Sequence, residues 1–255
     1  MLRTCSTKDL LKYYVFDSRD EMGEKAAKDI ASKILECLKK SEEVNIVFAA
    51  APSQNEVLER LSTDIAIPWE RVNAFHMDEY IGLPDDAPQK FGTFLSNAIF
   101  SKAKFKSVHY INGNTTDIQS ECDRYSQLLK EYPTDIVCLG IGENGHIAFN
   151  DPWVADFHDS ALVKTVSLDE MCRKQQVNDG CFASIDDVPK TAITLTIPAL
   201  IKAKYMFCTV PAETKRAAVN STINSIISTD CPATILRNHP NAVLYCDICS
   251  GRDLV

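Results

Sequence analysis

Apolar and polar positions along the chain follow two rhythms. Residues 19–40 (RDEMGEKAAKDIASKILECLKK) carry apolar side chains at helical spacing with charges on the other face, which predicts an amphipathic helix. The run VNIVFAA at 44–50 is short, continuously apolar and rich in β-branched residues, the pattern of a strand buried on both faces. SQNEVLERL at 53–61 follows as a helix with Ser53 as its cap. Further strands are expected at RVNAFHM (71–77), near 107–111, and at DIVCLGI (135–141), AITLTI (192–197), YMFCTV (205–210) and AVLYCD (242–247). Helices are expected around 90–101, 117–131 and 213–227. The stretch 153–185 is polar and weakly periodic, and is expected to form a mobile lid.

Apolar strands alternating with helices predict an α/β fold, a three-layer α/β/α sandwich around a mostly parallel, Rossmann-like sheet. No internal repeat or Pro/Gly/Ser-rich linker divides the 255 residues, so 1–255 read as one domain. In such sheets ligands gather beyond the carboxyl ends of the strands. Attention therefore goes to the residues that follow each strand.

Charge and cysteine content narrow the function. The formal net charge of −8 argues against a nucleic-acid or membrane-surface binder, which needs a basic face. A small phosphorylated ligand remains compatible, since it needs only local N–H groups and one or two cations. Met1 to Leu11 lacks the apolar run of a signal peptide, and no stretch of about 18 apolar residues occurs. A cytoplasmic location is expected, with the 10 cysteines as reduced, mostly buried thiols. Cys246 and Cys249 form a lone C-x-x-C, without the second ligand pair a zinc site would need.

Four strand ends carry chemistry. FAAAPSQN (48–55) joins a strand to a helix through small residues, which let a ligand approach backbone N–H groups at a helix start. FHMDEY (75–80) ends a strand in His76, Asp78, Glu79 and Tyr80; a partly buried carboxylate there suits a general base, although a helix-cap or turn role fits too. CLGIGENGHIAFNDP (138–152) surrounds Glu143 and Asn144 with Gly140, Gly142 and Gly145, ahead of His146. A histidine on a glycine-rich loop at a strand end is placed for proton transfer near neutral pH, with Asp151 able to orient it. VPAETKRAAV (210–219) puts Lys215 and Arg216 at a helix start, where the dipole disfavours cations unless an anion joins them.

These motifs, with DDVPKTAITLTIPAL at 186–200, resemble the glucosamine-6-phosphate deaminase (isomerase) family, within the wider group that includes 6-phosphogluconolactonases. The resemblance runs from about VNIVFAA to AVLYCD. It implies conversion of a hexosamine phosphate, glucosamine 6-phosphate, to fructose 6-phosphate and ammonia, with no metal or organic cofactor. By motif position it makes Asp78 the base that moves a proton between C2 and C1. It makes His146 the group that opens the pyranose ring, attended by Asn144 and Asp151. Ala50, Ala51, Ser53, Gln54 and Lys215 fall at the phosphate site, and Glu79 and Gly142 among the substrate contacts.

Some positions depart from the family pattern. Asn144 stands two residues before the histidine where the family commonly has Asp, so that either Glu143 or Asp151 is expected to supply the missing carboxylate, or ring opening slows. Asp151 stands where Glu is frequent. The phosphate loop reads Ala-Ala-Pro-Ser-Gln instead of Gly- and Thr-rich, and Pro52 removes a donor. The family's phosphate arginine has no direct match: Gly180 falls near its place, and Arg173, next to Lys174, is the nearest basic candidate. A related substrate such as galactosamine 6-phosphate therefore stays open, as do lactone hydrolysis and a non-catalytic sugar-phosphate sensor. The oligomeric state is also open, a homo-oligomer included.

Overall fold

Val44–Phe48 is buried at all five positions, and so is Ile136–Leu139. Strands this apolar need cover on both faces, and in the computed structural model, which describes residues 1–255, helices supply it. The chain runs β1 (Leu2–Lys8), β2 (Leu11–Phe16), α1 (Arg19–Leu38), β3 (Val44–Phe48), α2 (Asn55–Thr63), β4 (Val72–His76), β5 (Asp78–Tyr80) and α3 (Phe91–Leu95). It continues with β6 (Ser107–His109), α4 (Ile118–Glu131), β7 (Ile136–Leu139), β8 (Val163–Ser167), α5 (Glu170–Asn178), β9 (Thr191–Leu195), α6 (Ile197–Ile201), β10 (Tyr205–Val210), α7 (Arg216–Asn224) and β11 (Ala242–Asp247).

The main sheet has eight strands in the order β1-β2-β11-β10-β7-β3-β4-β6, all parallel except the edge pair β1–β2. The alternation of side chains splits each central strand between two cores. Ile46, Phe48, Ile136 and Cys138 join Met22, Ile30, Leu58 and Leu61 from α1 and α2. Val47, Val137 and Leu139 join Tyr125, Leu129, Val219 and Ile223 from α4 and α7. This is the expected three-layer α/β/α sandwich. Strands are added outward from β3 to one side and from β7 to the other, so the order reverses between these two. Ligands of open α/β sheets bind at such a reversal.

Several local expectations change. Ser53 does not cap a helix: it lies inside a 3₁₀ turn (Pro52–Gln54), and α2 begins after it without a side-chain cap. The strand at 191–195 is not in the main sheet. β4 ends at His76, a single residue, Met77, intervenes, and the extended chain continues as β5. β9 pairs antiparallel with β5, and β8 with β9, forming a separate three-stranded sheet beside the main one. The N-terminal hairpin β1–β2 has mostly exposed side chains on its outer strand, which leaves little apolar pattern to read. The segment 153–185 contains β8 and α5. No helix is long and apolar enough to cross a membrane.

Candidate active site

A cleft open to solvent lies at the carboxyl ends of β3, β4, β7 and β10, flanking the reversal in strand order. Each strand delivers its following residues to the cleft: Ala50, Ala51 and Ser53 after β3, Asp78 after β4, Gly140, Gly142 and His146 after β7, and Ala212 and Lys215 after β10.

Asp78 is 6% exposed and makes no side-chain hydrogen bond. Burial, with the neighbouring Glu79 charge adding to it, raises its carboxyl well above the usual carboxylate range. His76 sets its backbone. The His76 ring is fully buried, its Nε2 accepts from Ile111 N–H (2.9 Å), and its Nδ1–H therefore donates to the Asp78 carbonyl (2.8 Å). Burial pushes the His76 imidazole down to about 4, which keeps it neutral and structural.

Glu79 points the other way, as adjacent strand residues must. Its carboxylate accepts from the N–H groups of Tyr80 (3.0 Å), Phe91 (3.0 Å) and Gly92 (2.9 Å), tying β5 to the start of α3. Burial raises its pKa even so. The side chain, expected to meet the substrate, does not line the cleft.

His146 sits on the loop after β7, where Gly145 takes φ +85°. Its imidazole lies against Gly142: a Cβ at that glycine would stand 2.1 Å from His146 Cε1, so no side chain fits there. His146 Nδ1 is 2.7 Å from Asn144 Oδ1 and 3.0 Å from Asp151 Oδ1. The Asn144 amide donates in turn to Asp151 Oδ1 (2.9 Å), and its oxygen also accepts the His146 N–H (3.1 Å). Both neighbours of Nδ1 are acceptors, so Nδ1 carries the proton and Nε2 keeps a lone pair. Asp151 is fully buried. Burial works to raise its carboxyl, but the His146 ring and the Asn144 amide outweigh that and hold it below its ordinary value. Asn144 and Asp151 thus stand behind the histidine, and of the two expected sources of a carboxylate it is Asp151, not Glu143, that meets it.

Lys215 is 5% exposed and forms no ion pair with the protein. Burial lowers its ammonium pKa, opposed by the more distant charges of Asp179 and Glu143. It is aimed by Ala212, a non-glycine residue at φ 82° whose N–H donates to the Asp247 carboxylate (3.2 Å). Such a conformation costs about 1–3 kcal/mol and persists only where its surroundings impose it.

Two further expectations move. Gln54 is buried outside the cleft, with its amide near Ser53 Oγ, the Leu139 carbonyl and the Thr209 carbonyl at 3.1–3.3 Å. It staples the loop to β7 and β10 and leaves no donor for a ligand. Arg173 donates its guanidinium to the Ile185 and Val188 carbonyls, which pins the end of the 170–188 segment away from the cleft. The arginine that does line the cleft is Arg19, at the first turn of α1. It pairs with Glu56 (2.5 Å) and donates to the Pro52 carbonyl, within the loop after β3. Gln175 and Gln176 of α5 close another wall, and Gln175 Oε1 accepts from Glu143 N–H (2.8 Å).

The cleft therefore combines two cations beside a small-residue loop, a buried carboxyl of raised pKa, and an imidazole with an open nitrogen. That set can hold an anionic group and move protons at two places on one ligand.

Comparison with known proteins agrees with this arrangement. Residues 17–245 match the family described as glucosamine-6-phosphate isomerases/6-phosphogluconolactonase. The glucosamine-6-phosphate deaminase of Lactobacillus delbrueckii subsp. bulgaricus is 33% identical over 237 residues, covering 93% of this chain and 97% of that protein. The enzyme of the same name from Listeria innocua is 34% identical over 220 residues, covering 85% and 92%. Among solved structures, a monomeric glucosamine-6-phosphate deaminase superposes with a TM-score of 0.84 at 28% identity, covering 95% of this chain and 98% of that one. The 6-phosphogluconolactonase of Thermotoga maritima shares the fold, with a TM-score of 0.77 at 21% identity over 93% of this chain and 99% of that one. With its cleft at the strand reversal and a match over most of its length, the chain belongs to the glucosamine-6-phosphate isomerase/6-phosphogluconolactonase family.

Proposed function

We propose that the chain, working as one domain, is an enzyme that isomerises and deaminates glucosamine 6-phosphate, releasing fructose 6-phosphate and ammonia. The observation that carries this reading is the pairing of Asp78 with His146 in one cleft, each at the end of a different parallel strand. The names of the curated relatives agree with it.

Lys215 and Arg19 hold the phosphate against the loop Ala50–Ser53, which fixes the sugar between the two proton-transfer groups. His146 Nε2 takes the proton from the anomeric hydroxyl and returns one to the ring oxygen, opening the pyranose to its aldehyde. During this transfer Asp151 stabilises the imidazolium while Asn144 holds the ring orientation. Asp78 then removes the C2 proton while a proton of the substrate's ammonium group passes to the C1 oxygen, giving the enol, and Asp78 delivers the proton it holds to C1. The product is a C2 imine. Water adds to C2, the C–N bond breaks, and ammonia leaves a ketone. A carboxyl raised by burial suits Asp78, since it must be base and acid in alternate steps.

The test is ammonia release from glucosamine 6-phosphate, coupled to detection of fructose 6-phosphate. Equal appearance of both products is expected. Hydrolysis of 6-phosphogluconolactone instead, or binding of sugar phosphates without turnover, would replace the assignment. Parallel assays with galactosamine 6-phosphate measure the preference between epimers.

A further inference from the structure

Behind the imidazole of His146, the side chains of Asp151 and Cys172 converge, and one donor atom from each of the three lies within 4.8 Å of the others. All three residues are buried, at 8%, 0% and 1% exposure. Asp151 uses Oδ1 for His146 and Asn144, whereas its buried Oδ2 meets no N–H or O–H donor, and the group that faces this carboxylate is the Cys172 thiol. An unpartnered buried carboxylate oxygen is costly and is normally satisfied by a donor or a cation. Cys172 comes from α5 and has no part in the proposed reaction.

We infer that His146, Asp151 and Cys172 form a binding site for a borderline-soft divalent cation such as zinc or cobalt, and that its occupation inhibits the enzyme. The donor set of one imidazole, one carboxylate and one thiolate is what such ions take, with a fourth position for water. Ligand bonds of about 2.0–2.3 Å require the three donors to draw in by roughly 1 Å. A thiolate and a carboxylate balance the two charges of the ion, so that the filled site buries no net charge. Binding releases one proton, that of the Cys172 thiol, to solvent. The imidazole stays neutral, but the cation takes Nδ1 and its proton moves to Nε2. The nitrogen facing the cleft then has no lone pair to open a sugar ring. Entry behind the imidazole requires α5 to shift, so inhibition develops slowly.

The experiment adds zinc or cobalt to the intact protein. Time-dependent inhibition reversed by a chelator is expected, with a thiolate-to-cobalt charge-transfer band in the near ultraviolet. The Cys172→Ala and Cys172→Ser variants should keep basal activity, lose the band and bind the cation at least about ten-fold more weakly. Loss of a direct ligand should cost no less than loss of an outer-shell partner. Retention of the band and the inhibition in both folded variants would overturn the site. So would their disappearance on replacing the exposed Cys5 or Cys249 instead. The cobalt spectrum does not depend on turnover, so failure of this site and failure of the deaminase reading are separable.

Discussion

His146 Nδ1 lies 3.0 Å from Asp151 Oδ1, across a span of five residues that includes the turn at Ala148. The contact answers the question raised by Asn144. An amide orients an imidazole, but only a carboxylate stabilises the imidazolium formed when Nε2 takes a proton. In the proposed reaction the two tasks fall on two residues, Asn144 fixing the ring and Asp151 supplying the charge.

Replacing Asp151 with Asn should therefore lower kcat by roughly 10²-fold or more with a smaller change in KM. Stability should change in a pH-dependent way. The folded pKa of Asp151 lies below its unfolded value, so its charge stabilises the fold above the ordinary carboxyl range, and that contribution is lost as pH falls through the folded value. The Asp151→Asn variant should melt below the wild type at neutral pH, and the difference should shrink in acid. Steady-state kinetics and melting curves across that range read both effects. A wild-type kcat in a folded Asp151→Asn protein would remove Asp151 from the reaction.

Asp78 gives the opposite sign. Its folded pKa is raised, so the folded state binds more protons than the unfolded one, and stability falls as pH climbs from the unfolded carboxyl value of about 3.9. Asp78→Asn removes that destabilisation. Turnover should fall by roughly 10³-fold or more, while the variant melts above the wild type by a margin that widens with pH. An active variant, or one with a margin independent of pH, would contradict the role and the burial argument respectively.

The meeting of Asp78, His146 and Lys215 in one cleft was legible because a parallel sheet presents its ligand site at strand ends, and each of these residues follows an apolar run. Glu79 and Gln54 stay outside the cleft for local geometric reasons. Neighbouring residues on an extended chain face opposite ways, so Asp78 and Glu79 cannot both enter one cleft. Gln54 closes a 3₁₀ turn that carries its amide to the Leu139 and Thr209 carbonyls, while Ser53 faces the cleft. Arg173 was chosen by proximity along the chain, whereas its guanidinium is satisfied by local carbonyls. Arg19 was missed because the amphipathic pattern of α1 already accounted for it. Its signal was the one that flagged Lys215: a cation in the first turn of a helix, where the dipole opposes it. The second, antiparallel sheet was hidden because a buried strand reads the same in either sheet.

The two cations should behave differently when removed. Lys215→Met deletes a charge-assisted contact to phosphate, worth about 1.5–3 kcal/mol, so KM should rise roughly 10- to 100-fold. It also relieves an unpaired buried ammonium, so the free variant should melt higher than the wild type. Arg19→Ala should also raise KM. It breaks the pair with Glu56, however, and should give no gain in melting temperature. Inorganic phosphate should stabilise the wild type against heat and Lys215→Met far less. Unchanged KM in both variants would place the phosphate elsewhere.

The parts of segment 153–185 are held differently, so closure over a bound substrate is expected of α5 and the turn after it. β8 is locked to β9 by a five-residue ladder, and belongs to the fixed wall. α5 is held at its start by Asp169, whose Oδ1 caps Cys172 N–H (2.5 Å) and whose Oδ2 accepts from the exposed Trp153 indole (2.9 Å), with Asn144 Nδ2 at 3.4 Å. A shift of α5 is thus felt by Trp153 on the surface and by Asn144 behind His146. Trp69, the other tryptophan, is buried in the main core and should report nothing. Sugar-phosphate binding should change the emission of the wild type but not of Trp153→Phe. Amide exchange should slow across 170–185 on binding, while β8 stays protected with and without ligand. Equal protection of both stretches in both states would make α5 a fixed wall, and the cleft would then have to admit its substrate without any movement of Asp169.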